Sequence, residues 1–271
     1  MKTFQYVGFK KMTEDTEVIK CSNSNLASLP ELPKGLKELY CKGNQLTSLQ
    51  VLPVSLQILN CDGNQLTSLP DLPKGLKELR CSEGNQLTSL PELPEGLLIL
   101  DCSENKLTSL PKLPNSLKIL ICFDNPLLEF PSKLPPDLNF LSCRRTNLKN
   151  LPELPKSLEI LYCGGNKLTS IPELPKGLKE LTCWENQLTN LANVRLPTGL
   201  KELWCHGNPM SYSIFTNKNI SHKLFCVEDL IREIKKLGAI IEEMKLVPGY
   251  GEYYKEAEQR YNEQINKQKG K

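Results

Sequence analysis

Apolar positions in this chain return in one short frame. In Leu36-Lys37-Glu38-Leu39-Tyr40-Cys41-Lys42-Gly43-Asn44-Gln45-Leu46-Thr47-Ser48-Leu49 the apolar residues are separated by polar ones in a fixed order. The frame recurs as Leu56…Leu59-Asn60-Cys61…Asn64…Leu66, and later as Leu178…Leu181-Thr182-Cys183…Asn186…Leu188. Cysteines stand at 21, 41, 61, 81, 102, 122, 143, 163, 183 and 205, in steps of 20 to 22 residues. A fixed period of this length marks repeat units stacked into a solenoid, each burying its apolar side only against its neighbours. Leu39 and Cys41 alternate with polar residues, which predicts a short strand with both side chains inward. Leu36, Leu46 and Leu49 close the core, and each buried leucine contributes about 2 kcal/mol of transfer free energy. Stacked units then form a parallel sheet of about ten strands, one per rung, with rungs numbered one to ten from Cys21 to Cys205.

The polar punctuation completes each rung. Asn44, Asn64, Asn85, Asn105, Asn125, Asn166, Asn186 and Asn208 fall where the chain leaves the strand. An amide there can both donate to and accept from buried backbone, so the stack predicts an asparagine ladder. Ser24 replaces the amide in rung one and Thr146 in rung seven, which predicts a local weakness at rung seven. Gly84 is an extra residue between Cys81 and Asn85, hence a bulge. The return segment, Leu29-Pro30-Glu31-Leu32-Pro33-Lys34-Gly35 and its copies, holds nearly all of the prolines that lie between Pro30 and Pro209. Prolines three apart exclude a helix and favour an extended polyproline-type convex side.

Three segments follow from this pattern. Residues 1–15 precede the repeats, and Phe4, Tyr6 and Phe9 are expected to cap the first rung, because an open parallel edge invites aggregation. Residues 16–210 form the solenoid. Residues 211–271 change character: Leu224, Val227, Leu230, Ile231, Ile234 and Leu237 recur at helical spacing and Gly238 reads as a helix stop. Tyr253, Ala257, Tyr261 and Ile265, four apart, predict a second helix. This tail is expected to be an α-helical C-terminal cap.

Residues flanking the core positions point out of the sheet, onto the concave face. Three before each cysteine, rungs five to eight carry Ile99, Ile119, Phe140 and Ile160, whereas Glu38, Glu78, Glu180 and Glu202 stand in other rungs. With Ile121, Phe123, Arg144, Tyr162, Trp184 and Trp204 they compose one expected partner-binding surface. Aromatic and arginine side chains in an apolar patch are the composition of a binding hot spot. Strand propensity alone would also supply Ile and Phe, but it does not explain glutamate in the neighbouring rungs. Gly164-Gly165 leaves a gap beside Trp184, expected as a dimple.

Composition narrows the chemistry. The 34 basic and 31 acidic residues are mixed and give a net charge of +3, which singles out neither nucleic acid nor an anionic membrane. Arg144-Arg145 with Lys149 is read as a solvated rung. Cysteine at a core slot behaves as a small hydrophobe. Parallel in-register strands aim neighbouring thiols the same way, which suits a disulfide poorly and favours a reducing, cytoplasmic setting. No apolar run reaches a membrane span, and Met1–Lys11 does not read as a signal peptide. His206 beside Cys205, and His222 before Cys226, lack the spacing of a zinc finger. Neither histidine has an acid partner in sequence, so no catalytic residue, metal or cofactor is assigned.

The unit L-x-x-L-x-C-x-x-N-x-L with its Leu-Pro-x-Leu-Pro return resembles the short, bacterial-type leucine-rich repeat of secreted effectors. The form with Cys in the strand looks most like repeat proteins of giant DNA viruses. The match covers about residues 16–210. It implies a leucine-rich-repeat solenoid that is a non-catalytic protein–protein interaction scaffold, often directed at a host. Some such effectors add a ubiquitin-ligase domain with a Cys-x-Asp motif; Cys226-Val227-Glu228-Asp229 departs from that spacing. Two alternatives stay open: a self-assembling structural protein, and a substrate adaptor for a ubiquitin ligase.

Overall fold

The structure is a computed structural model that describes residues 3–5, 13–126, 128–189 and 194–209. Eleven three-residue strands follow one another in chain order and in space: β1 (Thr3–Gln5), β2 (Val18–Lys20), β3 (Glu38–Tyr40), β4 (Ile58–Asn60), β5 (Glu78–Arg80), β6 (Ile99–Asp101), β7 (Ile119–Ile121), β8 (Phe140–Ser142), β9 (Ile160–Tyr162), β10 (Glu180–Thr182) and β11 (Glu202–Trp204). Every pairing is parallel, and equivalent residues of successive rungs are in register, as in Leu39↔Leu59 and Leu181↔Leu203. Among the described residues there is no helix. The helices expected in 211–271 lie outside the described residues, as do Tyr6 and Phe9. β1 adds a strand ahead of the first repeat, pairing Phe4 with Ile19.

The core runs the length of the stack. Leu39, Cys41 and their equivalents in successive rungs are fully or almost fully buried, as are Leu46, Leu66, Leu87, Leu107, Leu168 and Leu188. Beyond each strand the cross-rung bonding continues, with Cys41 N–H donating to Asn60 O and Gly43 N–H to Asp62 O at 2.8 and 2.9 Å. The return segments are extended and close in a turn in which leucine N–H donates to proline O, as in Leu36 to Pro33 at 3.0 Å. Ser55, Ser116 and Ser157, where other rungs have glycine, use their hydroxyls to contact the previous rung; Ser55 Oγ lies 2.7 Å from Leu36 O.

The asparagine ladder is present. Asn64 Nδ2 donates to Cys41 O and Cys61 O at 3.1 and 3.0 Å, and its Oδ1 accepts from Leu46 N–H at 3.0 Å. One side chain thereby satisfies two adjacent rungs. At Thr146 the ladder thins: the hydroxyl donates to its own rung's Cys143 O at 2.8 Å and to Asn166 Oδ1 at 3.3 Å, in place of the several bonds an amide makes. Gly84 marks the expected bulge. It follows Glu83 in the left-handed region, and its N–H reaches Glu104 O only at 3.4 Å.

One regularity was not visible in the pattern of side chains. The second residue after every rung cysteine has φ between 46° and 68°, whether it is Gly43 or Gly165, or Glu104, Asp124, Arg145 or Glu185. A side chain there costs about 1–2 kcal/mol. In the rungs that have one, the ladder amide, fixed one or two residues later by several bonds, holds the turn in that shape.

Candidate functional site

The outward side of the sheet carries three rows of side chains whose order is set by register. One row reads Ile99, Ile119, Phe140, Ile160, Glu180, Glu202 across β6 to β11. The next reads Asp101, Ile121, Ser142, Tyr162, Thr182, Trp204. The third, just past the cysteines, holds Phe123, Arg144, Gly164, Trp184 and His206. All ten residues expected to bind a partner lie on this side, and every one is half-buried rather than fully exposed. Packing among neighbours in the rows removes part of each surface.

Ring contacts divide the surface into two clusters. In the first, the Arg144 guanidinium lies 4.8 Å from the Phe123 ring and 5.9 Å from Tyr162, and Phe140 meets Tyr162 edge-on at 5.4 Å. In the second, His206 stacks on Trp184 at 6.0 Å and meets Trp204 edge-on at 6.3 Å. Arg145, aimed by its left-handed backbone, lies 5.4 Å over Trp184. These pairs pre-order the rings, so less conformational freedom is lost when something docks.

The dimple expected at Gly164-Gly165 is filled. The Trp184 indole lies across both glycines, and a Cβ on Gly164 would sit 2.4 Å from Trp184 Cε2. The glycines therefore seat the tryptophan instead of leaving a cavity beside it. Sequence reading found the gap and missed its occupant, because a rotamer two strands wide is not encoded locally.

The opposite half of the face is charged, and its carboxylates are paired or hydrogen-bonded within it. Arg80 Nε donates to Glu78 Oε1 at 2.6 Å, Lys42 pairs with Glu83 at 2.6 Å, and Tyr40 donates to Glu38 at 3.1 Å beneath Lys20. Buried Asp62 accepts from both Ser82 N–H and Ser82 Oγ, at 2.7 and 2.8 Å. Burial pushes the Asp101 carboxyl above the ordinary carboxylate range, against the opposing pull of its bonds from Ser103. Sequence reading did not foresee this aspartate–serine network.

The cysteines face inward and are chemically quiet. Nine, Cys21 through Cys183, are free and buried. Burial raises their thiols, Cys21 to about 11 and Cys143 and Cys183 to about 12. Cys205 is the exception and is disulfide-bonded. Among the described residues no three His, Cys, Asp or Glu side chains are grouped to hold a metal. His222 lies outside them, and His206 is engaged by the two tryptophans.

This geometry defines a class: a parallel β-solenoid of leucine-rich-repeat type, a fold that generally serves as a non-enzymatic protein-interaction scaffold. Residues 55–76 match the Leucine Rich Repeat family. Among solved structures, YopM from Yersinia enterocolitica WA-314 is 35% identical over 77% of this chain and 50% of its own, with a TM-score of 0.62. The functional domain of InlJ from Listeria monocytogenes, which includes a cysteine ladder, is 28% identical over 71% of this chain and 44% of its own, with a TM-score of 0.59. The Toll–Spätzle complex of Drosophila, at 21% identity over 75% of this chain and 31% of its own and a TM-score of 0.55, shares the fold alone. The chain thus spans half the length of the Yersinia protein. No curated protein matches it.

Proposed function

We propose that this protein binds a partner protein on the concave side of its sheet, through rungs five to ten. The observation that carries the reading is the contrast along one face. Rungs one to four are lined by charged and polar residues, with Arg80 paired to Glu78 and Lys42 to Glu83, whereas rungs five to ten present Ile99, Ile119, Phe123, Phe140, Tyr162, Trp184 and Trp204 in contiguous register with Arg144 among them. Aromatic and arginine anchors that are already ordered are the residues that dominate interface energies. The sequence resemblance extends the reading to a host protein as the partner. We keep a cytoplasmic setting in the proposal: nine free thiols support it, and the disulfide at Cys205 weighs against it.

The test is partner capture by proximity labelling, comparing the wild-type chain with Phe123→Ala/Trp184→Ala and with Glu153→Gln on an exposed return segment. The double alanine variant is expected to lose the labelled partners and to unfold at nearly the wild-type temperature. Unchanged labelling by that variant would refute the assignment of this face.

A further inference from the structure

In the row three residues before the cysteines no two acids adjoin until its last two members. Glu38, Ile58 and Glu78 alternate, followed by four apolar residues, and then Glu180 and Glu202 stand directly opposite each other on β10 and β11. Strands in a sheet lie about 4.8 Å apart, so two carboxylates are held side by side, an arrangement that is destabilising when nothing offsets it. Glu38 and Glu78 each have a donor in their own rung. Glu180 has only the Tyr162 hydroxyl, at 2.6 Å, and Glu202, which is exposed, has no cation among the described residues. Burial first, and then this bond and the two carboxylates, raise Tyr162 to about 12, so the phenol keeps its proton and remains a donor.

A second observation falls in the same place. Only two buried side-chain oxygens among the described residues have no hydrogen-bond partner, Ser142 Oγ and Thr182 Oγ1. Both are in register with Tyr162, one strand to either side: Ser142, 2% exposed, lies on the side of Arg144, and Thr182, a half-buried residue, lies on the side of Glu180 and Glu202. Thr182 is also flanked by Trp204, so its hydroxyl lies at the floor between two aromatic residues with the paired glutamates alongside. A buried hydroxyl without a partner is costly and calls for an explanation at each occurrence.

We infer that this part of the face receives a basic side chain of the partner, an arginine or lysine flanked by apolar residues. The inference rests on the docking function proposed above and names its chemistry. A guanidinium or ammonium carries several donors and no acceptor, which suits two carboxylates held side by side. Its aliphatic stem and its charge both fit between Tyr162 and Trp204, because a cation is attracted to an aromatic face. Arg144, which has no carboxylate partner among the described residues, stands on the far side of Tyr162. Placed there, it repels a cation from that side and leaves Glu180 and Glu202 as its place of binding.

The experiment pans a phage-displayed random peptide library on the full chain and measures the affinity of the selected peptides. Selected sequences are expected to share an Arg or Lys beside apolar residues. Their affinity should fall about tenfold or more in Glu180→Gln/Glu202→Gln, weaken with salt, and be unchanged in Glu153→Gln. Peptides that lack a shared basic residue, or that bind the double glutamine variant as tightly, overturn the inference. If such binding is still lost in Phe123→Ala/Trp184→Ala, the docking face stands and only its cation preference fails; if it survives there as well, both fail. A library without binders overturns both. Selected peptides that reproduce a stretch of residues 210–271, or a dimer of the chain abolished in the double glutamine variant, assign the site to this chain's own sequence and overturn the inference equally.

Discussion

Replacing Asn105 by alanine tests the ladder that sets the shape of every rung. Asn105 is 6% exposed; its amide donates to Cys81 O, Cys102 O and Ser103 O at 2.9, 3.2 and 3.0 Å, and its Oδ1 accepts from Leu87 N–H at 3.0 Å. Two of those carbonyls have second donors, since Asn85 also reaches Cys81 O and Asn125 also reaches Cys102 O. Truncation therefore strands one buried N–H, on Leu87, and weakens the turn carbonyl at Ser103. An unsatisfied buried backbone group costs about 1–3 kcal/mol, so the variant should lose about 3 kcal/mol. Thr146→Ala is the internal comparison. Its hydroxyl donates to Cys143 O, which Asn166 also serves at 2.9 Å, and to Asn166 Oδ1 at 3.3 Å, which keeps the Thr146 and Leu148 N–H groups as donors, so nothing is stranded and the loss should be about 1 kcal/mol or less. Urea unfolding followed by circular dichroism measures the two losses, and hydrogen exchange at the Leu87 amide reports the stranded group directly. Equal losses in the two variants, or unchanged protection at Leu87, would show that the ladder amides are not what holds the rungs together.

Three further outcomes are expected. The nine buried thiols should resist a thiol-specific reagent in the folded state and react together on unfolding; prompt reaction of the native chain at several sites would contradict the inward stack. Their raised ionisation also fixes a pH dependence: folding favours the protonated thiol, so this contribution is intact below the ordinary value of 9.0 and is lost as pH climbs towards about 11 to 12. Each thiol that ionises only on unfolding lowers stability by about 1.4 kcal/mol per pH unit in that window, so alkaline unfolding should be steep and should start later in a Cys122→Ala/Cys143→Ala variant relative to its own stability at neutral pH. Gly164→Ala should push the Trp184 indole off its seat, cost about 1–3 kcal/mol through overpacking and shift tryptophan emission to the red; an unshifted spectrum would mean the indole does not lie on Gly164.

Most of the architecture is legible in the chain because a solenoid makes its contacts locally. A leucine and a cysteine two apart must face the same way from a strand, and a repeat of 20 to 22 residues leaves the next copy as their only neighbour, so register follows from period. The ladder, the bulge at Gly84 and the absence of helix from the described proline-bearing returns were readable for the same reason. The tertiary structure alone decided how the outward side chains lean, since nothing in the repeat constrains a rotamer on the solvent side. That is why Trp184 closes a gap that glycines seemed to open, why Arg145 reaches across a strand, and why Asp62 is buried by a serine from the following rung. It also showed how differently the glutamates of one row are met. Glu78 is neutralised by Arg80 and Glu38 accepts from Tyr40 within their own strands, whereas Glu180 and Glu202 adjoin each other with one bond from Tyr162 on the preceding strand, because a charge is balanced by distances in space and not by order along the chain.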